Sequence, residues 1–295
     1  MKNVKVVGSG VVGTLEDLLR RDDLHSRAWE LVILIDCTMS NLNGDPDNAG
    51  SPRVTPMEFG WATSVSFRRK TRDSVEDELE THLKTLGITS GQFEIAESHK
   101  AKGPNTENLK ALIADKDFRK RFWDVRVYGD MLLDKNEKGQ NWRGPVAMRA
   151  ALSVAKVNVI TQTLSRKTGT EVGKPKGMGP EAVKIVEHGL YVMPASYRPG
   201  SGEKNGTTND DLRLFFHLIP HAYDVGSVCR SGVNVVGAYV GVHKNRIGTF
   251  KRFDFVRNLT PVRLGSDPEA PSHSIDDYEF GTIDTTMDGD FYQIV

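Results

Sequence analysis

The chain of 295 residues holds only two cysteines, Cys37 and Cys229. Two thiols exclude a disulfide framework and a four-thiolate zinc site. Long hydrophobic runs are also missing. The longest purely aliphatic stretch, Leu31 to Ile35, falls far short of the roughly 20 residues that a membrane-spanning helix needs. The start, Met1-Lys2-Asn3-Val4-Lys5, has neither the apolar core nor the cleavage pattern of a secretory signal, so the expected compartment is the cytoplasm, with no membrane partner. There is no net charge either, with 39 basic and 39 acidic side chains, which argues against indiscriminate nucleic-acid binding. No G-x-S-x-G string and no Cys/His pairing points to a nucleophile, and no fixed-period repeat is present.

The neutral total hides a segregated distribution. Residues 66–72 carry Arg68, Arg69, Lys70 and Arg72 with no acid, and residues 165–178 carry Arg166, Lys167, Lys174 and Lys176 against Glu171. The last 35 residues reverse the sign, with eight acids against Arg263; a charge run of that kind is expected to be a solvated tail. Local basic stripes, not the overall balance, decide whether a polyanion can be held.

Periodicity predicts a short helix from Leu15 to about Arg21 and a buried strand from Trp29 to Cys37. A long Asn/Gly/Asp/Pro loop follows over 38–56. A long helix from Ala62 to Leu86 is stopped by Gly87. A helix is expected over Leu109–Phe122, and the alternation of Val125, Val127 and Met131 reads as a strand over Trp123–Leu133. Residues 165–188 look like a basic linker, Gly189–Ser196 a strand, 198–209 a loop, Thr208–Pro220 a capped helix and Val233–Val242 a strand. Strands, helices and long loops without a regular βα repeat fit α+β better than a doubly wound sheet.

Several motifs were weighed as chemistry. Gly8, Gly10 and Gly13 fit G-x-G-x-x-G between a β-like run and a helix, the pattern of a dinucleotide-binding enzyme; the helix is short and no further βα units follow. Gly169 to Lys174 resembles a P-loop one residue short, with Pro175 where a hydroxyl would hold magnesium. Pro220 interrupts His217 and His221, and no Glu lies between them, so zinc binding is not expected. Asp36, Asp45 and Asp47 offer oxygen ligands for a divalent cation, against the plainer role of Asp45 and Asp47 in Asx turns. The arginines beginning the long helix gain nothing from the macrodipole there. They make sense if an anion lies alongside, with the Asn41-Leu42-Asn43-Gly44 loop supplying amides.

Leu34-Ile-Asp36, Asn41-Leu-Asn-Gly-Asp-Pro-Asp47 and Ser51-Pro-Arg53, followed by Phe67-Arg-Arg-Lys-Thr-Arg72, resemble the N-terminal signature and basic helix of the CRISPR-associated RAMP-superfamily backbone subunit of type I Cascade complexes, nearest the subtype I-C and I-B branch. Phe122-Trp-Asp-Val-Arg-Val-Tyr-Gly129, Arg143-Gly-Pro-Val146, Met178-Gly-Pro180 and His188-Gly-Leu-Tyr191 fall collinearly with later family strings, so the likeness spans roughly residues 27–260. The resemblance implies an RNA-recognition-motif-like (ferredoxin-like) antiparallel palm over 27–295, after an N-terminal extension over 1–26. A finger insertion would lie at about 73–121 and a thumb at about 164–188. It implies a non-catalytic, multicopy subunit without cofactor or metal, whose partners are CRISPR RNA, target DNA, other Cascade subunits and copies of itself in a helical filament. Carried over by position, the RNA-facing residues are Asn41, Asn43, Arg53, Arg68, Arg69 and Arg72, with Arg166, Lys167, Lys174 and Lys176 on phosphates and Met178 as an apolar wedge. Related type III subunits cut RNA with a loop aspartate, so Asp45 or Asp47 would be the candidate in a metal-dependent endoribonuclease.

Overall fold

A computed structural model describes residues 4–98, 117–132, 140–166, 179–224 and 231–295. The central strand is β3 (Trp29–Ser40), and Trp29 and Leu31 to Ile35 are wholly inaccessible on both of its faces. That continuous apolar run fits a strand covered on both sides. Antiparallel β12 (Gly179–Tyr197) and β13 (Val233–His243) flank it. Beyond β12 lie β9 (Val146–Met148), β10 (Ala151–Lys156), β11 (Val159–Arg166) and, at the edge, β6 (Phe59–Ala62). Beyond β13 lie β17 (Gly289–Gln293) and β2 (Val12–Gly13), the last pairing in parallel. Small two-stranded additions are β1 (Lys5–Val7) with β16 (Thr282–Asp284), β4 (Gly44–Asp45) with β5 (Ser51–Pro52), β7 (Gly129–Leu132) with β8 (Gln140–Arg143), and β14 (Val262–Arg263) with β15 (Tyr278–Glu279). The architecture is mixed α and β around a mostly antiparallel sheet.

Alternation along β3 sorts the two cores. Trp29, Leu31, Ile33 and Ile35 pack with α1 (Leu15–Leu19), α2 (Ser64–Leu86), α4 (Trp123–Tyr128) and α6 (Asn209–Leu218) through Leu18, Phe67, Trp123 and Phe215. Val32 and Leu34 pack on the other face with Phe255 and Leu259 of α7 (Arg252–Leu259), and with Tyr278 and Phe280. Among the described residues the remaining α-helices are α3 (Phe118–Arg121) and α5 (Pro199–Asn205).

Local signals explain the long helix. Thr63 accepts the Ser66 N–H at its start, and Gly87 ends it in the left-handed region at φ 64° with its N–H on the carbonyls of Leu83 and Lys84. Two expectations fail instructively. Residues 123–128 are helical, because every residue from Phe122 to Gly129 is buried and a two-residue alternation carries no information when both faces are covered. Residues 199–205 form α5, with Pro199 in its first turn and Gly206 beyond its end at φ 72°; Gly202 is required there because a Cβ would meet the Tyr197 hydroxyl at 2.0 Å.

Residues 165–188 are not a continuous linker. β11 and β12 form an antiparallel ribbon with Val159 opposite Val186 and Arg166 opposite Gly179. The chain between, including Lys167, Lys174, Lys176, Met178 and the P-loop-like string, lies outside the described residues, as does most of the expected helix over Leu109–Phe122.

The G-x-G-x-x-G reading is overturned. Its strand, β1, pairs with β16 outside the central sheet. A Cβ at Gly8 or Gly10 would meet Thr285 Oγ1 at 2.5 Å or Thr285 Cβ at 2.8 Å, and one at Gly13 would meet Tyr292 at 2.7 Å. The glycines let the N-terminal segment lie against the C-terminal strands, with β1 outside the central sheet, where a dinucleotide unit would need that strand within the main sheet and an open helix start. Nor is the acidic tail simply solvated: Asp290 pairs with Arg21 at 2.9 Å and with Lys244, and Glu279 pairs with Lys5. The expected extension is thereby stitched to the end of the chain.

His217, noted in the sequence, meets His82 of α2 at the contact between α2 and α6. His82 Nδ1 lies 3.2 Å from His217 Nε2, His82 Nε2 is 3.0 Å from Ser74 Oγ, and His221 bonds Asp224 at 2.6 Å. Burial, with the neighbouring His82 and His221, pushes the His217 pKa down to about 4 from an ordinary 6.5. Between those values the unfolded chain binds more protons than the folded one, so stability falls as pH drops. His217→Gln should therefore flatten the fall in melting temperature between pH 6.5 and 4, measured by calorimetry against the parent chain.

Candidate nucleic-acid interface

The end of β3 runs into a loop that is held open by its own side chains. Asn41 Nδ2 donates to the Gly50 carbonyl at 2.8 Å, and the Gly50 N–H returns to the Asp45 carbonyl at 2.8 Å. Asp45 caps a short 3-10 turn, Pro46–Asn48, and its Oδ1 accepts the Asp47 N–H at 3.3 Å; this is the Asx geometry that Asp offers a turn. Asp36, the third candidate oxygen ligand, faces elsewhere: its carboxylate meets His188 Nε2 at 2.9 Å and the Thr38 hydroxyl at 3.0 Å. Among the described residues no group of three His, Cys, Asp or Glu could hold a metal.

Asn43 ties this loop to the long helix. Its Oδ1 accepts both the N–H and the hydroxyl of Thr63, at 2.9 and 3.0 Å. Ser66 Oγ donates to the Leu42 carbonyl at 3.4 Å. Loop and helix start are thus one rigid unit, enclosing a cavity of about 460 Å³ lined by Asn43, Thr63, Ser66, Arg69 and Arg72, with Glu97 and Ser98 opposite. Arg53 reaches back along the loop. Its guanidinium lies 5.0 Å over the Trp61 ring and 3.4 Å from Asp45. Two buried polar atoms of this loop, Asn41 Oδ1 and Arg53 Nε, have no hydrogen-bond partner among the described residues, an arrangement that costs free energy unless something supplies one.

The three arginines of the helix have distinct situations. Arg72 is 2 % exposed, with Nε 2.9 Å from Asp124 and Nη1 3.1 Å from Glu97. Arg69 is divided between Asp73 at 2.7 Å, Glu76 at 3.1 Å and the Glu97 carbonyl. Arg68 has no carboxylate partner among the described residues. It bonds only the Ser64 carbonyl and hydroxyl, at 3.4 and 3.1 Å, and lies 5.7 Å over the Tyr128 ring. Burial and then the neighbouring Arg72 charge lower its pKa, so its cation is held in a place that disfavours positive charge, and an arriving anion would relieve that.

Sequence reasoning missed what holds these arginines. Asp124 Oδ1 and Oδ2 accept the Ala96 and Glu97 N–H groups at 2.9 and 3.2 Å as well as Arg72. Tyr128, whose hydroxyl lies 2.9 Å from Thr71 Oγ1 and whose pKa burial pushes up to about 12, supplies the ring beneath Arg68 and Arg72. Arg126, two residues on, forks onto Asp211 at 2.7 and 2.9 Å. The usable signal was charge inside an otherwise apolar string, Trp123 to Tyr128, since buried charges must be paired. Gly144, of the string Arg143-Gly-Pro, sits where a Cβ would lie 2.0 Å from the Tyr128 carbonyl carbon. Of the thumb candidates, Arg166 closes β11, and the other four lie outside the described residues.

The loop of amides is tied to the start of the arginine-bearing helix, on a mixed α and β fold around a mostly antiparallel sheet. The fold is similar to one chain of a CRISPR RNA-guided surveillance complex, pre-nicking, with a TM-score of 0.51, 16% identity, and 81% of this chain and 82% of that one covered. A second CRISPR RNA-guided surveillance complex gives a TM-score of 0.47 at 15% identity over 81% and 76% of the chains. A type III-B Cmr-beta complex bound to cognate target RNA gives 0.42 at 11% over 77% and 63%. No curated protein matches. The family model of CRISPR-associated protein Cas7 matches residues 27–283, and the chain belongs to that family.

Proposed function

We propose that this chain is a multicopy backbone subunit of a CRISPR effector complex, one that binds a guide RNA along its phosphate backbone and leaves bases free to pair with target DNA. The observation that carries this reading is Arg68, half-buried over Tyr128 on the helix whose start Asn43 ties to the Asn41–Arg53 loop, with no carboxylate partner among the described residues. Asn41, Asn43, Arg53, Arg68 and Arg69 form the proposed RNA face; Arg72, already committed to Asp124, positions it. Arg166, Lys167, Lys174, Lys176 and Met178 would extend that face from the thumb. The order β13-β3-β12-β10 with α2 and α6 on one side of the sheet supports an RNA-recognition-motif-like palm. Other effector subunits and further copies of the chain are its proposed neighbours, and the sequence strings place the proposed complex nearest subtypes I-C and I-B.

The subunit is further inferred to be non-catalytic, since Asp45 is occupied by the Asp47 N–H and Arg53. Co-expressed with a guide-bearing transcript, the purified chain should carry protected RNA whose length rises in equal steps with the number of copies bound. Recovery free of nucleic acid, or complementary RNA cut in magnesium by the parent complex but not by Asp45→Ala, would refute the reading.

A further inference from the structure

On the sheet face opposite α2, a pocket of about 760 Å³ opens beside α7. Arg149, Arg198, Arg252 and Arg257 line it, around Phe253 and Val256. Its foundation is Glu30, 1 % exposed at the start of β3. One carboxylate oxygen accepts from Arg198 Nη2 at 2.7 Å and the other from Arg252 Nε at 2.7 Å, with His243 Nε2 at 3.5 Å. Burial alone would raise the Glu30 pKa, but bonds from His243 and Arg198 and the charges of both arginines hold it below the usual range. Arg252 Nη2 also donates to Ser196 Oγ at 2.8 Å. Two guanidiniums are therefore fixed in orientation by a buried acid while their side chains stay 41 % exposed.

The remaining two make the pocket cationic. Arg257 meets Asp254 at 3.4 Å, and Arg149 is exposed with no carboxylate partner among the described residues. Four guanidiniums thus face two carboxylates, Glu30 and Asp254. Phe253 is 72 % exposed, an unusual position for such a ring, and Arg257 lies 5.7 Å over its face. Oriented guanidinium forks match phosphate oxygens, and an exposed ring with a cation beside it is a stacking platform for a base. A duplex has its bases already stacked, and an acidic peptide would use the arginines but leave the ring idle.

We infer that this pocket binds a second single strand of nucleic acid, with phosphates on Arg149 and Arg257 and a base on Phe253, on the side of the sheet away from the guide. The inference rests on the guide-binding reading only for the presence of another strand. The test is fluorescence anisotropy with labelled (dT)12 on the full chain preloaded with guide RNA, over a salt series. The parent should bind. Arg149→Glu with Arg257→Glu should weaken (dT)12 at least about tenfold and reduce the log–log salt slope by about 1.4, the value for two lost single-strand phosphate contacts, while guide affinity is unchanged. Phe253→Ala should weaken binding several-fold at an unchanged slope, and ultraviolet crosslinks should map to residues 252–257. Absence of (dT)12 binding, equal affinity in the double variant, or tighter binding of polyglutamate than of (dT)12 overturns the inference. Should the chain fail to bind guide RNA at all, the same titration on unloaded protein, parent against Arg149→Glu with Arg257→Glu, reads this pocket by the difference between the two.

Discussion

Asp124→Ala lowers the free energy of unfolding by about 3–5 kcal/mol, the range for removing one partner of a buried ion pair. Arg72 is 2 % exposed and Asp124 1 %, so the guanidinium left behind cannot recover its solvation in water. The same deletion strips the acceptor from the Ala96 and Glu97 N–H groups, which lie near enough to the surface for water to replace part of that loss. Chemical denaturation of the parent and variant measures the loss. The compensating pair Arg72→Met with Asp124→Leu should recover most of the Arg72 share, since apolar replacement of both partners is often neutral, but not the two amides. Guide affinity should fall in Asp124→Ala, because Glu97 and Ser98 form the wall of the cavity facing Arg69 and Arg72. An Asp124→Ala chain as stable as the parent would mean that Arg72 is not held by this carboxylate, and the positioning role assigned to it would fail.

The parts of the fold that the sequence announced are those set by local chemistry. Leu31 to Ile35 fits a doubly covered strand, and Thr63 and Gly87 punctuate α2 at both ends. Thr208 heads the capping box of α6, with Asp211 at its third position. What stayed illegible depends on contacts distant in sequence. The helix at Trp123 follows from Asp124 meeting Arg72 and Arg126 meeting Asp211, 52 and 85 residues apart, and no window around 123–128 contains those partners. Composition alone marked the eight acids at the C-terminal end as a tail, yet Asp290 is folded against Arg21. The candidate site shows the same division. The loop asparagines and the basic helix were legible as neighbours, and Asn43 does tie the loop to Thr63 at the helix start, whereas spacing placed Arg68 and Arg72 on one face as equals. Only tertiary structure separates Arg72, spent on Asp124, from Arg68, which is not. Of the pocket around Glu30, the sequence showed only the basic stretch 243–257 with Arg252 and Arg257; that Arg149 and Arg198 join them depends on the tertiary structure.

That separation sets the last expected result. Replacing Arg68 with Gln, together with Arg53→Gln, should weaken guide-RNA binding by at least about tenfold in moderate salt and reduce the dependence of log affinity on log salt by about 1.4, since each phosphate contact on a single strand contributes about 0.7. Neither change should cost much stability: Arg68 has no carboxylate partner among the described residues and Arg53 only Asp45 at 3.4 Å, an interaction worth about 0–1 kcal/mol near a surface. The measurement is RNA anisotropy across a salt series, with denaturation midpoints as the control. Arg72→Gln serves as the contrast, because it should lose stability first and affinity only as a consequence. An Arg68 and Arg53 double variant with the parent's affinity and salt slope would move the guide off this loop and helix altogether. A variant that loses affinity at an unchanged slope would mean that these arginines contact bases or protein instead of the phosphate backbone, and the tracking geometry would then have to be sought on the β11–β12 ribbon.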